Sequence, residues 1–286
     1  MHFLRHEDKE AVKPGQSDID VELTQKGRLS AIAKGKEKPA QPAVAWAGGS
    51  PRIRAAHTAL LRMMSGKETI TPEMDFAQAR AEAEKELGYG RKVVHLPELN
   101  FYWDGTPEFQ QTGMTAYKSG RGLEWLLKGS DALALKLSDK DSLSYSRVAA
   151  NYASLIAREM QSGNNFNQIV ARDPKKYEKY GNQLERYFGT HQTVSECFYM
   201  KVLEKTRGQA VAEEFIESFR DEKGQANGFD FQGGFEVNII NNGQGQKVIL
   251  QGVRGFADIE LTSELLSNII GDAEQLDKEI EKMVKG

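Results

Sequence analysis

A single cysteine, Cys197, excludes any disulfide within the chain and fits a reducing compartment, where a lone thiol in an apolar pattern is most often a core residue. No apolar run approaches membrane-spanning length. The first residues carry Glu7, Asp8 and Glu10 in place of a basic region followed by a hydrophobic one. No membrane association and a cytoplasmic location are therefore expected. Basic charge is not in excess either: 38 Lys and Arg against 41 Asp and Glu leave a net charge of -3, which argues against nucleic acid as a partner. The histidines, His2, His6, His57, His95 and His191, show no metal-ligand spacing, so a metal enzyme is disfavoured. The chain has no internal repeat and no low-complexity tract, and no feature sets an oligomeric state.

What remains is an ordinary globular composition, 39% hydrophobic and 28% charged over 286 residues, for which one large domain with insertions is favoured. Short apolar runs alternate with helical periodicity. A strand ends on Arg5-His6, and a helix follows from an N-cap at Thr24, with Leu29, Ile32 and Ala33 on one face and Gly35 as its end. Ala43 to Ala47 reads as a buried parallel strand closed by Gly48-Gly49. Ser50 as N-cap and Pro51 at the first helical position open a helix whose face is Ala55, Ala56, Ala59, Leu60 and Met63. An acidic, Ala-rich helix from about Glu73 to Leu87 ends at Gly88-Tyr89-Gly90, and Val93 to Leu96 is a third strand. Residues 106–181 are mostly helical, with Tyr145 to Met160 amphipathic and turns at Gly120-Arg121-Gly122 and Gly163-Asn164-Asn165; such an insertion is a natural lid. Leu184 to Thr190 is another strand, less apolar than a central one should be because of Glu185 and Arg186. Helices at Val194 to Val202 and Val211 to Phe219, a hairpin at Asn242-Gly243 and an amphipathic helix through Leu266 to Met283 complete the pattern.

In an open α/β sheet, ligands bind beyond the carboxyl ends of the strands. Four strand ends carry Arg5-His6, Ser50 to Arg54, Glu98 and Thr190-His191. Cations in a first helical turn oppose the helix dipole by ~0.3 to 1 kcal/mol each, which makes sense if an anion sits between them and the turn amides. Arg54 is read that way, whereas Arg52 is equally placed to pair with Glu7 or Asp8. Glu98 is either a solvated loop residue or a placed acid, and His95 is more suited to packing or to a sheet edge than to catalysis. Two imidazoles, guanidinium groups and a carboxyl suit phosphoryl transfer: one imidazole attacks phosphorus, arginines hold the equatorial oxygens, and the acid protonates the leaving oxygen.

The segments Phe3-Leu4-Arg5-His6, Leu23-Thr24-Gln25-Lys26-Gly27-Arg28, Ser50-Pro51-Arg52-Ile53-Arg54-Ala55-Ala56-His57-Thr58-Ala59, Leu96-Pro97-Glu98 up to Trp103-Asp104-Gly105, and Thr190-His191 carry a family resemblance in their order and spacing. Together they resemble the first branch of the histidine phosphatase superfamily, the phosphoglycerate mutase-like proteins. The resemblance implies a three-layer α/β/α sandwich with a mostly parallel sheet. It further implies a single domain over 1–286, with a helical cap insertion at about 106–181. It makes His6 the phosphorylated nucleophile, Arg5, Arg54 and His191 the phosphate pocket, and Glu98 the proton donor. The implied activity is a phosphomonoester hydrolase acting on a small phosphorylated substrate without a metal or cofactor. A mutase-type phosphotransferase and a catalytically weak phospho-ligand binder stand as alternatives. The family's other branch has an aspartate after the second histidine, where this chain has Gln192. The chain departs from the first branch at Glu7, where a small residue is usual, at Gln192, where glycine is common, and in the polar strand before His191.

Overall fold

Short apolar segments, which periodicity alone cannot distinguish from buried helix, pair in this protein as parallel strands. The computed structural model describes residues 1–37, 43–87, 93–100, 105–181, 183–242 and 245–285. The elements in chain order are β1 (His2–Arg5), α1 (Gln25–Lys36), β2 (Val44–Gly49), α2 (Ile53–Met64), α3 (Phe76–Leu87), β3 (Val93–His95), α4 (Pro107–Lys118), α5 (Gly122–Trp125) and α6 (Asp131–Lys136). They continue with α7 (Tyr145–Arg172), α8 (Pro174–Tyr177), β4 (Leu184–Thr190), α9 (Val194–Arg207), α10 (Gln209–Glu217), β5 (Gly234–Asn242), β6 (Gly245–Leu250), β7 (Ile259–Glu260) and α11 (Ser263–Lys285). Single 3-10 turns occur at Asp18–Asp20 and Pro97–Leu99. The chain divides into two compact units, one of Met1–Asn100, Glu159–His191 and Phe231–Gln246, the other of Phe101–Arg158, Gln192–Asp230 and Lys247–Gly286.

The first unit holds the strand order β3-β2-β4-β1-β5, mixed α/β in class, with β5 antiparallel to β1 and the other pairs parallel. Register levels the strand ends. Arg5 pairs with Thr190, and Gly49 with both Gly189 and His95. The ladder then extends by one bond beyond each strand: the His6 amide donates to the Thr190 carbonyl (2.9 Å), that of Ser50 to Gly189 (3.1 Å), and that of Leu96 to Gly49 (2.7 Å). Residues 6, 50, 96 and 191 therefore leave the sheet at one level, where parallel-sheet proteins build sites.

Helix α2 packs on β2 and β4 at unusually short range. A Cβ on Gly49 would lie 2.4 Å from the Ala56 amide nitrogen, and one on Gly189 would lie 1.8 Å from the Ala55 carbonyl oxygen. Only glycine admits that approach. The core on this side gathers Leu23, Ile32, Ala56, Leu60, Leu61, Met64, Phe76 and Val93, each large side chain contributing about 1.5 to 3 kcal/mol relative to exposure. Polar β4 proves to be central. Arg186 forms a buried ion pair with Glu159 (3.1 Å), donates to the Val44 carbonyl (3.2 Å) and lies 5.0 Å over the Trp46 ring.

In the second unit, the aromatic core includes Phe109, Tyr152, Phe198, Tyr199 and Phe215, with Tyr152 stacked on Phe198 at 5.7 Å and Tyr199 on Phe215 at 4.7 Å. Its buried cations are matched, Arg147 by Asp277 (2.7 Å) and Lys201 by Asp272 (2.9 Å). Among the described residues no helix is long and apolar enough to cross a membrane.

Several local expectations are corrected. Helix α2 starts at Ile53, with Arg52 and not Ser50 at the cap position; the Ser50 hydroxyl accepts from the Arg52 amide (3.3 Å) and lies 2.6 Å from His191 Nε2. Gly35 lies inside α1, where a Cβ would collide with Ser65 at 2.3 Å. That helix buries Gly27, Ala31 and Ile32, and leaves Leu29 and Ala33 exposed. Gly163-Asn164-Asn165 makes no turn, since α7 runs through it, with Phe166 buried one step beyond. The expected helix end at Gly88-Tyr89-Gly90, the aromatic turn at 101–104 and Gly243 of the hairpin lie outside the described residues.

Candidate active site

His6 follows β1 directly, and its backbone is fixed on both sides. The Arg5 amide donates to the Gly233 carbonyl (2.9 Å), and the Gln232 amide donates to the Arg5 carbonyl (3.0 Å). The imidazole Nδ1 lies 2.6 Å from the Glu7 carbonyl oxygen. A carbonyl only accepts, so Nδ1 carries the proton and Nε2 keeps its lone pair. Arg54 Nε donates to that Nε2 at 3.4 Å, as this tautomer requires.

His191 leaves β4 beside it, the two rings meeting edge to face with centroids 5.1 Å apart. Its Nε2 lies 2.6 Å from Ser50 Oγ. Both imidazoles are held neutral. Burial pushes His6 down to about 3, with Arg54 and Arg5 adding to the effect and the Glu7 carbonyl opposing it. Burial also pushes His191 well below the ordinary imidazole range, helped by His6 and the arginines.

Arg54, in the first turn of α2 and brought down onto the sheet by the two strand glycines, is buried. Its other nitrogens reach Asp18, Nη1 at the carbonyl (2.8 Å) and Nη2 at Oδ2 (3.0 Å). The same carboxylate takes Arg52 Nη1 and Lys9 Nζ (3.1 Å). Arg52 thus pairs with a local carboxylate, that of Asp18. Partial burial alone would raise the Asp18 carboxyl, but Arg54, Lys9 and Arg52 outweigh it and hold the group below the usual carboxylate range. Asp18 behaves as an internal anion spanning two guanidinium groups.

Arg5 lies with its guanidinium carbon 4.5 Å above the ring of Phe231. Glu98 occupies the 3-10 turn after β3, and the next carbonyl, of Leu99, accepts from Thr190 Oγ1 at 3.1 Å, which ties that turn to the residue preceding His191. His95 is exposed at the end of β3. His57 is buried against Glu22 at 3.1 Å and stands apart from this group.

Glu7 is taken up by other partners. Its buried carboxylate accepts from Ser30 Oγ (2.6 Å) and Gln232 Nε2, and its amide donates to Thr58 Oγ1 (3.0 Å). Residue by residue, Arg54, His6 and His191 share direct contacts or neighbouring rings, Arg5 joins them through the Phe231 ring that lies near His6, and Glu98 is placed through its turn. Asp18, Lys9, Phe231 and Gln232 belong to the same neighbourhood without having carried a sequence signal, beyond the polar loop that holds the first two. No group of three or more His, Cys, Asp or Glu side chains among the described residues is arranged to hold a metal ion.

No family model matches the chain, and no curated protein matches it. Among solved structures, a chain described as "Mycobacterial hydrolase 2" aligns over 95% of this chain and 96% of its own, at 15% identity and a TM-score of 0.42.

Proposed function

We propose that the protein is a phosphomonoester hydrolase of the histidine phosphatase type, first branch, working through a phosphohistidine on His6 Nε2. The observation that carries this reading is the single defined tautomer of a neutral His6, its lone pair directed toward Arg54. A neutral imidazole is a competent nucleophile. Attack of Nε2 on phosphorus breaks the P–O ester bond, and the departing oxygen takes a proton from Glu98. Water then attacks the phosphohistidine, passing a proton to the Glu98 carboxylate, and phosphate leaves.

The charge on the equatorial oxygens is met by Arg5 and Arg54, with neutral His191 as a further hydrogen-bond partner. For Arg54 to do so, the phosphate takes over the place of the Asp18 carboxylate. Asp18 itself is a poor choice of acid, because its carboxyl is held below the ordinary range and is ionised near neutrality.

The test is to mix the enzyme rapidly with a panel of small phosphomonoesters and quench it in alkali. A phosphoprotein that is alkali-stable and acid-labile, and that disappears in His6→Ala, is expected. Turnover of no ester, or a phosphoprotein that persists in His6→Ala, overturns the reading. A long-lived phosphoprotein with negligible release of phosphate points instead to a mutase-type transferase.

A further inference from the structure

Phe231 is a large apolar side chain left 39% exposed in a neighbourhood of arginines and imidazoles. Its ring centroid lies 6.3 Å from that of His6, and one ring face rests on the Arg5 guanidinium at 4.5 Å. Scattered exposed apolar residues are normal on a protein surface. This one differs in how firmly it is held.

The next residue, Gln232, is buried and adopts φ 57°, a left-handed conformation that is unfavourable for a non-glycine residue and persists only where the surroundings enforce it. The enforcing contacts are all present. Gln232 donates from its amide to the Arg5 carbonyl (3.0 Å) and from Nε2 to both Glu7 and Ser30 Oγ (3.1 Å), and its Oε1 accepts from Arg62 Nη1 (3.2 Å). The Phe231 carbonyl accepts from Lys34 Nζ at 3.3 Å. Strain concentrated beside a reactive group, with hydrogen bonds on every side, fixes the aromatic ring at one place relative to His6.

Glu7 then has a positive role. It stands directly after the nucleophile and grips the residue after the ring, so its carboxylate couples the position of Phe231 to that of His6. From these contacts we infer that Phe231 is a specificity residue and that the preferred substrates are phosphomonoesters whose organic part is a planar aromatic group close to the ester oxygen. With phosphorus on His6 Nε2, such a group meets the exposed part of the Phe231 ring. An aromatic ring gains the offset or edge-to-face attraction there, and a saturated ring of similar size gains only contact area. The inference rests on the hydrolase reading for turnover, though not for binding.

The experiment uses benzyl phosphate and cyclohexylmethyl phosphate, two primary alkyl esters of similar leaving-group basicity that differ in aromaticity. The wild-type kcat/KM is expected to favour the benzyl ester about fivefold, the scale of an aromatic pair beyond its contact area. Phe231→Leu is expected to bring that ratio to about one, and Phe231→Tyr to retain it. A wild-type ratio near one, or a ratio unchanged in Phe231→Leu even if both rates fall, overturns the inference; the latter result would assign the ring to holding Arg5. Calorimetry with the matching non-hydrolysable phosphonates measures the same preference without catalysis. Preferential binding of benzylphosphonate by a chain that turns over no ester would sink the hydrolase reading and leave the aromatic wall standing. Turnover of both esters without preference would do the reverse, and failure to bind either phosphonate would overturn both.

Discussion

The two ends of the parallel strands in the first unit use the same residue types to opposite effect. At the starting end, His2 lies between Glu236 (3.2 Å) and Glu185 (3.6 Å) and stacks on Tyr187 at 4.6 Å, while Arg186 is matched by Glu159. These residues line a cleft of about 1260 Å³. At the carboxyl end, His6 and His191 face each other among Arg5, Arg52 and Arg54, with Asp18 as the carboxylate drawn between two of the guanidinium groups. Local charge matching separates the ends. At the starting end the imidazole has carboxylate partners; where imidazoles crowd with arginines, the imidazoles stay neutral and the cations call for an anion.

The largest test of this contrast is His6→Ala. It is expected to lower kcat for phosphomonoesters by about 10⁴-fold or more, since the nucleophile is gone and only bound-state electrostatics remain. Steady-state kinetics on the folded variant measures it, and a rate within tenfold of wild type would remove His6 from the chemistry. Glu98→Gln follows, with a loss of about 10²-fold for benzyl phosphate and a much smaller one for p-nitrophenyl phosphate, whose leaving group needs little protonation. Equal losses on both esters would deny Glu98 the role of acid.

The contrast also has a pH signature. His6 binds its proton at about 3 in the folded chain against 6.5 ordinarily, so between those values the unfolded chain holds more protons. Stability is accordingly undiminished above about pH 6.5 and declines as pH falls toward 3, with His191 acting in the same direction. Asp18 acts in the same direction, since its depressed carboxyl contributes stability that is present above the ordinary carboxylate range and is lost as pH falls through the folded value. Urea unfolding from pH 7 to 4 checks the sign, and His6→Ala should flatten the slope. Activity should show no acid limb between pH 6 and 7 from the nucleophile. Asp18→Asn is a smaller perturbation: removal of the internal anion should tighten orthovanadate binding by about threefold, the scale of a partly exposed ion pair. Weaker binding would instead make Asp18 a positioning residue for the arginines.

What could be read from the sequence was what depends on near neighbours. The β4 strand, Leu184–Thr190, was legible despite Glu185 and Arg186, because its apolar end and the following His191 form a local pattern. The α2 helix was legible, but its start was not: the Ser50 hydroxyl is shared between the Arg52 amide and His191, the latter across 141 residues. Gly163-Asn164-Asn165 looks like a turn and is helix because the apolar face of α7 continues past it to Phe166. Asp18 and Gln232 were invisible for the same kind of reason: Asp18 meets Arg52 across 34 residues, and Gln232 meets Glu7 across 225. Glu7, as a sequence feature, suggests a charge intruding on a phosphate pocket. Its partners Ser30 and Gln232 take it up, and no periodicity encodes such partners.

The smallest expected effect completes the contrast. His2 sits at the opposite end of β1 from His6, three residues from Arg5, and lines the cleft at that end. Its ring is held by two carboxylates and a stacked tyrosine, which is a structural arrangement. His2→Ala should therefore leave kcat/KM for phosphomonoesters within about twofold of wild type, while costing on the order of 1 kcal/mol in urea unfolding from lost packing and ion pairing. A His2→Ala variant that folds as well as wild type yet loses tenfold or more in kcat/KM would mean that the two ends of the strand are coupled, and that the cleft belongs to the function after all.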